Sequence, residues 1–574
     1  MLTANKVTIR EIFNRAKLLE VPFFQRSYVW GDSQWERLLD DLETITRTKA
    51  PHFIGSVILK QKPTDISSSI GDIRALIDGQ QRLTTLTILL KVLCLKNNNL
   101  HLFDNQFRTF DGDVVIQHNR NDIESYNRIM NLDTIEEIEP KETDNIAKAY
   151  IYFRDNIDPS SIDFNTVCNG LIFVGIDLSV DEDEQQIFDT INSLGVRLTT
   201  AELLKNYFFE RNDVELYEKY WLDIFEFDDE TKEYWDTEFY VGNKQRSFID
   251  QLFFSFLQIK IQEKELDVSA DDKLAFSKLD HLFISYKRFV KEYYNGNKAL
   301  LLGEISEYAK KFRDAIDLGV LDEDLTATVG VKRVSAIAFA LETTTLLPYI
   351  LFVEKNVEDS VERNELYGYL ESYIMRRICC RAQTKSYNRL FGSTLILHRV
   401  LSKESFSEFL SEQDDGANQV PSDDELMLAF DNGILTNKQT RGILYMIESR
   451  IRNRDRQSTQ LLGINKYSLE HIMPKKWANH WGLLDDEVAA KARDRKILTL
   501  GNLAIITQAL NASIRDANWT RKKDGKNGKD GLKVYSQGIE TITRYLDLDA
   551  WNESEISKRA KWLYDHALEI WKIE

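Results

Sequence analysis

Between Leu86 and Leu95 every residue except Thr87 and Lys91 is apolar. A run of this kind must be taken out of water. It is far shorter than the roughly 20 residues that cross a bilayer, and it carries Lys91. It therefore predicts a helix buried in a protein body, not a membrane span. A second apolar stretch, Ala336 to Val353, contains Glu342 and three threonines and predicts another buried helix. Burying such helices needs a large body, and the chain supplies one. It has 574 residues, 43% apolar and 29% charged, with mean hydropathy −0.38. At roughly 150 residues per domain the length alone suggests about four domains. Eight Pro and 25 Gly exclude a collagen-like or broadly disordered chain, and no internal repeat suggests a solenoid.

The four cysteines, Cys94, Cys168, Cys379 and Cys380, form no CxxC pair. Neither a zinc ribbon nor a disulfide framework is indicated, and a reducing cytoplasm is expected. Met1 to Lys6 contain no apolar signal-peptide core. Strands and helices mix in the first ~210 residues, with His52–Leu59 and Arg74–Ile77 reading as strands. From about 213 to 450 the pattern is mostly helical, as in Phe248, Leu252, Phe253, Phe256 and Leu257. Polar stretches near Asp267–Asp272 and Gln413–Asp424 interrupt it.

Net charge is −18, which for the whole molecule argues against a nucleic-acid binder. Its distribution reverses that inference at one end. Residues 451–574 hold 22 Lys and Arg against 17 Asp and Glu, net +5, so the first 450 residues carry −23. A basic C-terminal module on an acidic chain suggests a polyanionic partner there.

Ser33-Gln34-Trp35-Glu36 reads as a capping box opening a helix with a buried stripe at Trp35, Leu38, Leu39 and Leu42. Before it lies Val21-Pro22-Phe23-Phe24-Gln25-Arg26-Ser27-Tyr28-Val29-Trp30. Further on, a strand ends in Asp78-Gly79-Gln80-Gln81-Arg82, followed by Leu83-Thr84-Thr85-Leu86 and the apolar helix. A strand, a Gly turn and a helix start present free N–H groups that suit phosphate. Arg82 can add a bidentate clamp, and Gln80 and Gln81 can bond phosphate or base edges. Such turns also serve purely as structure, and the residues alone leave both readings open.

These three runs, Pro22–Trp30, Phe53–Ser56 and Asp78–Thr85, resemble the N-terminal domain of GmrSD-type restriction proteins. Ile187-Phe188-Asp189-Thr190-Ile191-Asn192-Ser193-Leu194-Gly195-Val196-Arg197-Leu198 resembles a later Asn-Ser-x-Gly segment of that family, and Arg376-Arg377 is similar to its helical Arg pair. The resemblance implies a ParB/sulfiredoxin-like α/β domain that hydrolyses nucleotide and senses DNA. By that likeness Asp78, Gly79, Gln80, Gln81 and Arg82 bind or process a nucleoside triphosphate, with Gln25 and Arg26 beside them. Arg26 as a mere brace for Asp78 is the alternative. The acidic run Asp181–Glu184 reads as a solvated face, since four consecutive carboxylates cannot converge on one ion.

Near the other end, Tyr467-Ser468-Leu469-Glu470-His471-Ile472-Met473-Pro474 reads as a short strand stopped by Pro474. Leu500-Gly501-Asn502-Leu503-Ala504-Ile505-Ile506 reads as a second strand entered through a Gly turn, and Gln508 to Asp516 as a helix carrying Asn511. Arg515, Arg521, Lys522, Lys523, Lys526 and Lys529 follow. Phosphodiester hydrolysis needs a base for water, which His471 can be. It also needs positive charge on the phosphoryl oxygens, which magnesium or manganese on Glu470 and the Asn511 amide could supply. Glu470 and His471 are adjacent, so on a regular strand they face opposite ways, and a bulge or strand end must let both reach the site. Arg515, Arg521, Lys522, Lys523 and Lys526 would hold backbone phosphates. His480 reads as packed in an aromatic loop and His566 as a helix position. Trp519, Trp551, Trp562 and Trp571 read as core.

The set resembles the zinc-free His-Me finger (HNH) nuclease domain fused to the same family. That likeness implies His471 as general base, Asn502 as the residue that supports the loop and orients the base, and Glu470 and Asn511 as metal positions. The expected chain is α+β and multidomain: a nucleotide-binding, DNA-sensing module over 1–212, a helical coupling region over 213–445 and a ββα-metal nuclease over 446–574. The implied function is nucleotide-regulated, metal-dependent cleavage of modified phage DNA in restriction, without a membrane partner and with homodimerisation left open. The rival readings are a nucleotide-gated binding or scaffold protein with an inert nuclease site, and an RNA-cleaving toxin of the same chemistry.

Overall fold

The apolar run around Leu86 is the middle of a 17-residue helix, Gln80–Lys96, whose residues from Leu83 to Leu95 are all buried. A helix apolar on every side has to lie inside a body, and a mixed sheet with further helices provides it. Lys91 is buried with the rest, its ammonium 5.0 Å from the centre of the Phe103 ring. Burial pushes its pKa down. No described helix is long and apolar enough to cross a membrane.

A computed structural model of the chain describes residues 4–22, 25, 27–62, 72–118, 122–139, 144–178, 200–209, 213–242, 244–413, 417–452, 459–482, 484, 486–526, 531–535 and 539–573. The Ile187–Leu198 segment, the Asp181–Glu184 run, Arg26 and Lys529 lie outside the described residues. The chain forms two compact units, residues 1–226 with 283–288, and residues 227–282 with 289–574.

In the first unit six strands make one sheet: β1 (Ala4–Thr8), β2 (Lys17–Glu20), β3 (His52–Gln61), β4 (Asp72–Asp78), β5 (Ile116–Gln117) and β6 (Leu171–Leu178). Their order is β1-β6-β3-β4-β2-β5. β3 runs parallel to β6 and antiparallel to β4, and its register with β6 shifts between Phe53 and Gly55. Two helices matter for the site, α1 (Asp32–Thr48) and α2 (Gln80–Lys96). The predicted stripe Trp35, Leu38, Leu39 and Leu42 is the buried face of α1. Its start differs from expectation. Gly31 is the N-cap, two residues before Ser33, and having no side chain it forms only the returning half of a box, Gln34 Oε1 accepting the Gly31 N–H at 3.1 Å.

The second unit is a helical body that also holds two hairpins. The first, β7 (Glu238–Val241) with β8 (Lys244–Ser247), interrupts a region expected to be helical. It leads into α3 (Phe248–Lys260), where the predicted aromatic stripe is buried. The stretch from Ala336 to Val353 is not one helix. It divides into α4 (Val331–Ala340) and α5 (Leu347–Asn356), with Glu342 at φ 56° between them. α6 (Ser360–Cys379) and α7 (Asn437–Ile451) follow, and α7 runs across residues 445 and 446.

The second hairpin, β9 (Tyr467–His471) with β10 (Leu503–Thr507), packs against α7 and is followed by α8 (Gln508–Ile514), α9 (Trp519–Asp524) and the last helix, α10 (Glu553–Ile570). Buried polar groups join these parts. Arg333 on α4 grips Glu371 on α6 through two bonds of 2.7 and 2.8 Å and donates to Ser449 on α7 at 2.9 Å. Glu448 on α7 accepts the backbone N–H groups of Glu540 and Thr541 at 2.9 and 2.8 Å. Arg376 reaches the Trp571 carbonyl at 2.7 Å, and Arg377 donates to the carbonyls of Gln383, Ala417 and Gln419. The Arg376-Arg377 pair is thus a buried brace within this unit.

Candidate functional sites

In the first unit the three sequence runs singled out above converge on the turn between β4 and α2. Gly79 makes that turn at φ 103°, a conformation costly for a side-chain-bearing residue. A Cβ there would stand 3.1 Å from Val57 Cγ2. Asp78 closes β4, and its Oδ2 accepts from Ser56 Oγ at 3.0 Å and from the Arg82 guanidinium at 3.1 Å. Arg82 also donates to the Ser56 carbonyl at 2.7 Å. It can lie there because Gly55, at φ 127°, has no side chain; a Cβ would meet the guanidinium at 3.2 Å. The Arg82 Nε is buried and has no hydrogen-bond partner among the described residues.

The Pro22–Trp30 run meets the same turn. Gln25 donates to the carbonyls of Leu76 and Ile77 at 2.7 and 3.2 Å, at the end of β4. Gln81 accepts the Val29 N–H at 2.9 Å and donates to the Ser27 carbonyl at 3.3 Å. Tyr28 is buried, its hydroxyl bonded to Thr85 at 2.6 Å and accepting from Trp35 Nε1 at 2.7 Å. Gln80 is buried. Among the described residues, the brace of Asp78 is therefore Arg82, together with Ser56, a partner that sequence reasoning missed. The backbone N–H groups at the start of α2, with Arg82 beside them, carry the positive end of the helix dipole.

The second unit builds the other site on the β9–β10 hairpin. The pairing is regular, Leu503 opposite His471 through Thr507 opposite Tyr467, with no bulge. Adjacent side chains on such a strand point to opposite faces. Glu470 accordingly turns into the interior, 5% exposed, and pairs with the Lys522 ammonium, which is fully buried. Lys522 also donates to the His471 carbonyl at 2.7 Å. Burial pushes the Glu470 carboxyl up and the Lys522 ammonium down, since each charge has lost its water. Glu470 is the residue expected to hold a metal. Its carboxylate faces a buried ammonium, on the side of the strand away from His471. Among the described residues no group of three or more His, Cys, Asp or Glu could hold a metal ion.

His471 is half-buried at the end of β9. Burial, with the Lys475 and Lys522 ammonium groups, pushes its pKa down to about 4. Asn502 is fully buried and saturated. Its Oδ1 accepts from Met473 N–H at 2.8 Å and Trp551 Nε1 at 2.9 Å, and its Nδ2 donates to the carbonyls of Met473 and Ile497, both at 2.8 Å. It pins the chain two residues beyond His471, a positioning role. Arg559, also fully buried, holds the same turn from α10 through the carbonyls of Gly501 and Leu503 at 2.8 and 2.7 Å. Asn511 on α8 donates to Ser468 Oγ and the Leu469 carbonyl, both at 3.0 Å, tying that helix to β9.

The basic run splits. Arg515, Arg521 and Lys526 are exposed. Lys522 and Lys523, expected to hold DNA, face inward: Lys522 is the partner of Glu470, and the Lys523 ammonium donates to the Leu548 carbonyl at 3.0 Å. Trp519 stacks near Trp551 at 5.6 Å, and Trp551 and Trp571 are buried, as core positions should be. His480 is exposed instead of packed.

A mixed-sheet unit whose Gly79 turn is braced by Arg82, and a helical unit carrying a two-stranded sheet and helix around His471, define a multidomain α/β protein. Family comparison makes this specific. The model of the GmrSD restriction endonuclease N-terminal domain matches residues 9–209, and that of the GmrSD restriction endonuclease C-terminal domain matches residues 420–565. The chain belongs to the GmrSD restriction endonuclease family. Membership gives it a restriction-nuclease role, with DNA as the partner. No curated protein matches the chain.

Proposed function

We propose that the chain is a nucleotide-regulated endonuclease that cuts modified phage DNA, with His471 as the general base. The observation that carries this reading is a half-buried histidine at a strand end, held neutral by its surroundings and set beside a loop that Asn502 clamps on both sides. A neutral imidazole can take the proton of an attacking water. At a pKa near 4 it is a weak base, but a phosphodiester brought beside it supplies negative charge that raises that value. The exposed Lys475, whose field reaches His471, lies close to where charge builds on the phosphoryl oxygens. Arg515, Arg521 and Lys526 hold the flanking backbone. Glu470 and Asn511 do not fit a divalent ion as a pair, because Lys522 occupies the carboxylate, and no step here passes through a metal.

At the other site a nucleoside triphosphate would sit on the Gly79–Arg82 turn, its phosphates drawn to the positive end of the α2 dipole and to the Arg82 guanidinium. Bound nucleotide supplies the phosphoanhydride that is hydrolysed there. Asp78, held by Ser56 and Arg82, would position the attacking water. His471→Ala is expected to lower cleavage of a susceptible phage DNA by at least 10³-fold while leaving the melting temperature near wild type. Cleavage at the wild-type rate overturns the base assignment. Arg82→Ala is expected to weaken nucleotide binding at least tenfold, measured by calorimetry; unchanged binding removes the nucleotide site.

A further inference from the structure

The helical unit contains a cavity of about 960 Å³ that neither site above uses. The β7–β8 hairpin contributes Lys244 and Arg246 to its wall, the 273–281 stretch contributes Lys273, Lys278 and His281, and Arg389 faces them. One carboxylate, Asp280, lines it too, and both Lys244 (2.6 Å) and Arg246 pair with it. Lys273, Lys278 and Arg389 have no ion pair among the described residues. A chain of net charge −18 thus concentrates positive charge around one cavity. Cations gathered in a concave, partly apolar wall focus an anion.

The wall also holds unused hydrogen-bonding groups. Gln251 is 2% exposed and its Nε2 donates to Ser255 at 3.2 Å, but its Oε1 has no partner. Thr345 Oγ1 and Arg246 Nε are likewise buried and unpartnered. Buried polar atoms left unpaired are costly and rare in folded proteins. Among the described residues these three atoms are unpaired and lie just behind the cavity wall, so that a rotation of the Gln251 or Thr345 side chain would turn a hydrogen-bonding group to a bound molecule.

We propose that this cavity binds a nucleoside monophosphate or a ligand of that chemistry: an anionic phosphate against Lys273, Lys278 and Arg389, and a donor-bearing base or sugar against Gln251 and Thr345. The site is independent of the turn at Gly79–Arg82 and of the hairpin at His471. The test is calorimetric titration of the full chain with AMP, GMP, CMP and TMP, with adenosine and inorganic pyrophosphate as the separated halves of the ligand. At least one monophosphate is expected to saturate, with adenosine and pyrophosphate each at least tenfold weaker. The Lys273→Glu/Lys278→Glu variant, and independently the exposed Arg389→Glu, are expected to weaken that phase tenfold or more, while Arg82→Ala leaves it unchanged. Absence of saturable binding by all four, or wild-type affinity in both charge variants, overturns the proposal. Displacement of the bound monophosphate by an oligodeoxyadenylate hexamer assigns the ligand to a DNA strand, and failure to displace assigns it to the free pool; the site stands in either case.

Discussion

Glu470 and Lys522 illustrate how one side chain changes the reading of a site. An acid next to a candidate catalytic histidine suggests a metal ligand, yet here the acid is neutralised by a buried base. Removing one partner of such a pair leaves the other charge stranded in the interior and costs about 3–5 kcal/mol, whereas replacing both by apolar groups of similar volume is near neutral. Glu470→Gln is therefore expected to lower unfolding stability by about that amount in urea titrations, and Glu470→Leu/Lys522→Met by about 1 kcal/mol or less. If the double variant is stable yet loses cleavage, Glu470 is a ligand after all. The histidine gives a second expectation. Its pKa is near 4 in the folded chain and about 6.5 unfolded, so between those values the unfolded chain binds more protons. Stability from keeping His471 neutral is fully present above about pH 6.5 and is lost as pH falls toward 4. His471→Gln should flatten this part of the stability profile, measured by urea midpoints from pH 4 to 7; an unchanged slope there counts against the depressed value.

At the scale of elements, the turn at Gly79 decides whether β4 can hand its carboxylate to the start of α2. Gly79→Ala would place a Cβ 3.1 Å from Val57 Cγ2 in a left-handed conformation. A loss of about 1–2 kcal/mol in unfolding stability is expected, with nucleotide affinity falling alongside it; a stability equal to wild type would mean the turn relaxes freely. This turn was legible in the sequence because an apolar strand, a Gly and a helical run follow each other without a gap, and β3, β9 and β10 were legible for similar reasons. Other elements carried weaker signals. The β7–β8 hairpin has two four-residue strands, Glu-Phe-Tyr-Val and the wholly polar Lys-Gln-Arg-Ser, directly before a strong helical stripe. The break between α4 and α5 had one usable cue, Pro348 at the start of α5, where proline fits the first turn of a helix. The inward turn of Lys522 and Lys523 also had a cue, since with Trp519 they share the i, i+3, i+4 face of α9. Composition pointed them to DNA; periodicity pointed them to the core. The contact between Pro22–Trp30 and Asp78–Thr85 is a tertiary fact that no local pattern encodes.

For the whole molecule the informative quantity is where charge is free to act, not how much there is. The basic excess of residues 451–574 suggested a five-residue phosphate grip, yet only Arg515, Arg521 and Lys526 of that set face solvent. Each phosphate neutralised contributes about −0.9 to the slope of log K against log salt on duplex DNA. Replacing Arg515, Arg521 and Lys526 with serine should therefore make the slope shallower by about 3 units, read by fluorescence anisotropy of labelled duplex DNA at increasing sodium chloride. The Glu470→Leu/Lys522→Met variant should leave the slope unchanged, because an ammonium paired in the interior releases no counterion from DNA. A slope that drops by about 1 in that variant would mean Lys522 leaves its carboxylate to reach a phosphate. Glu470 would then be freed at the moment DNA binds, and the buried pair would be a resting state of the site, not its working one.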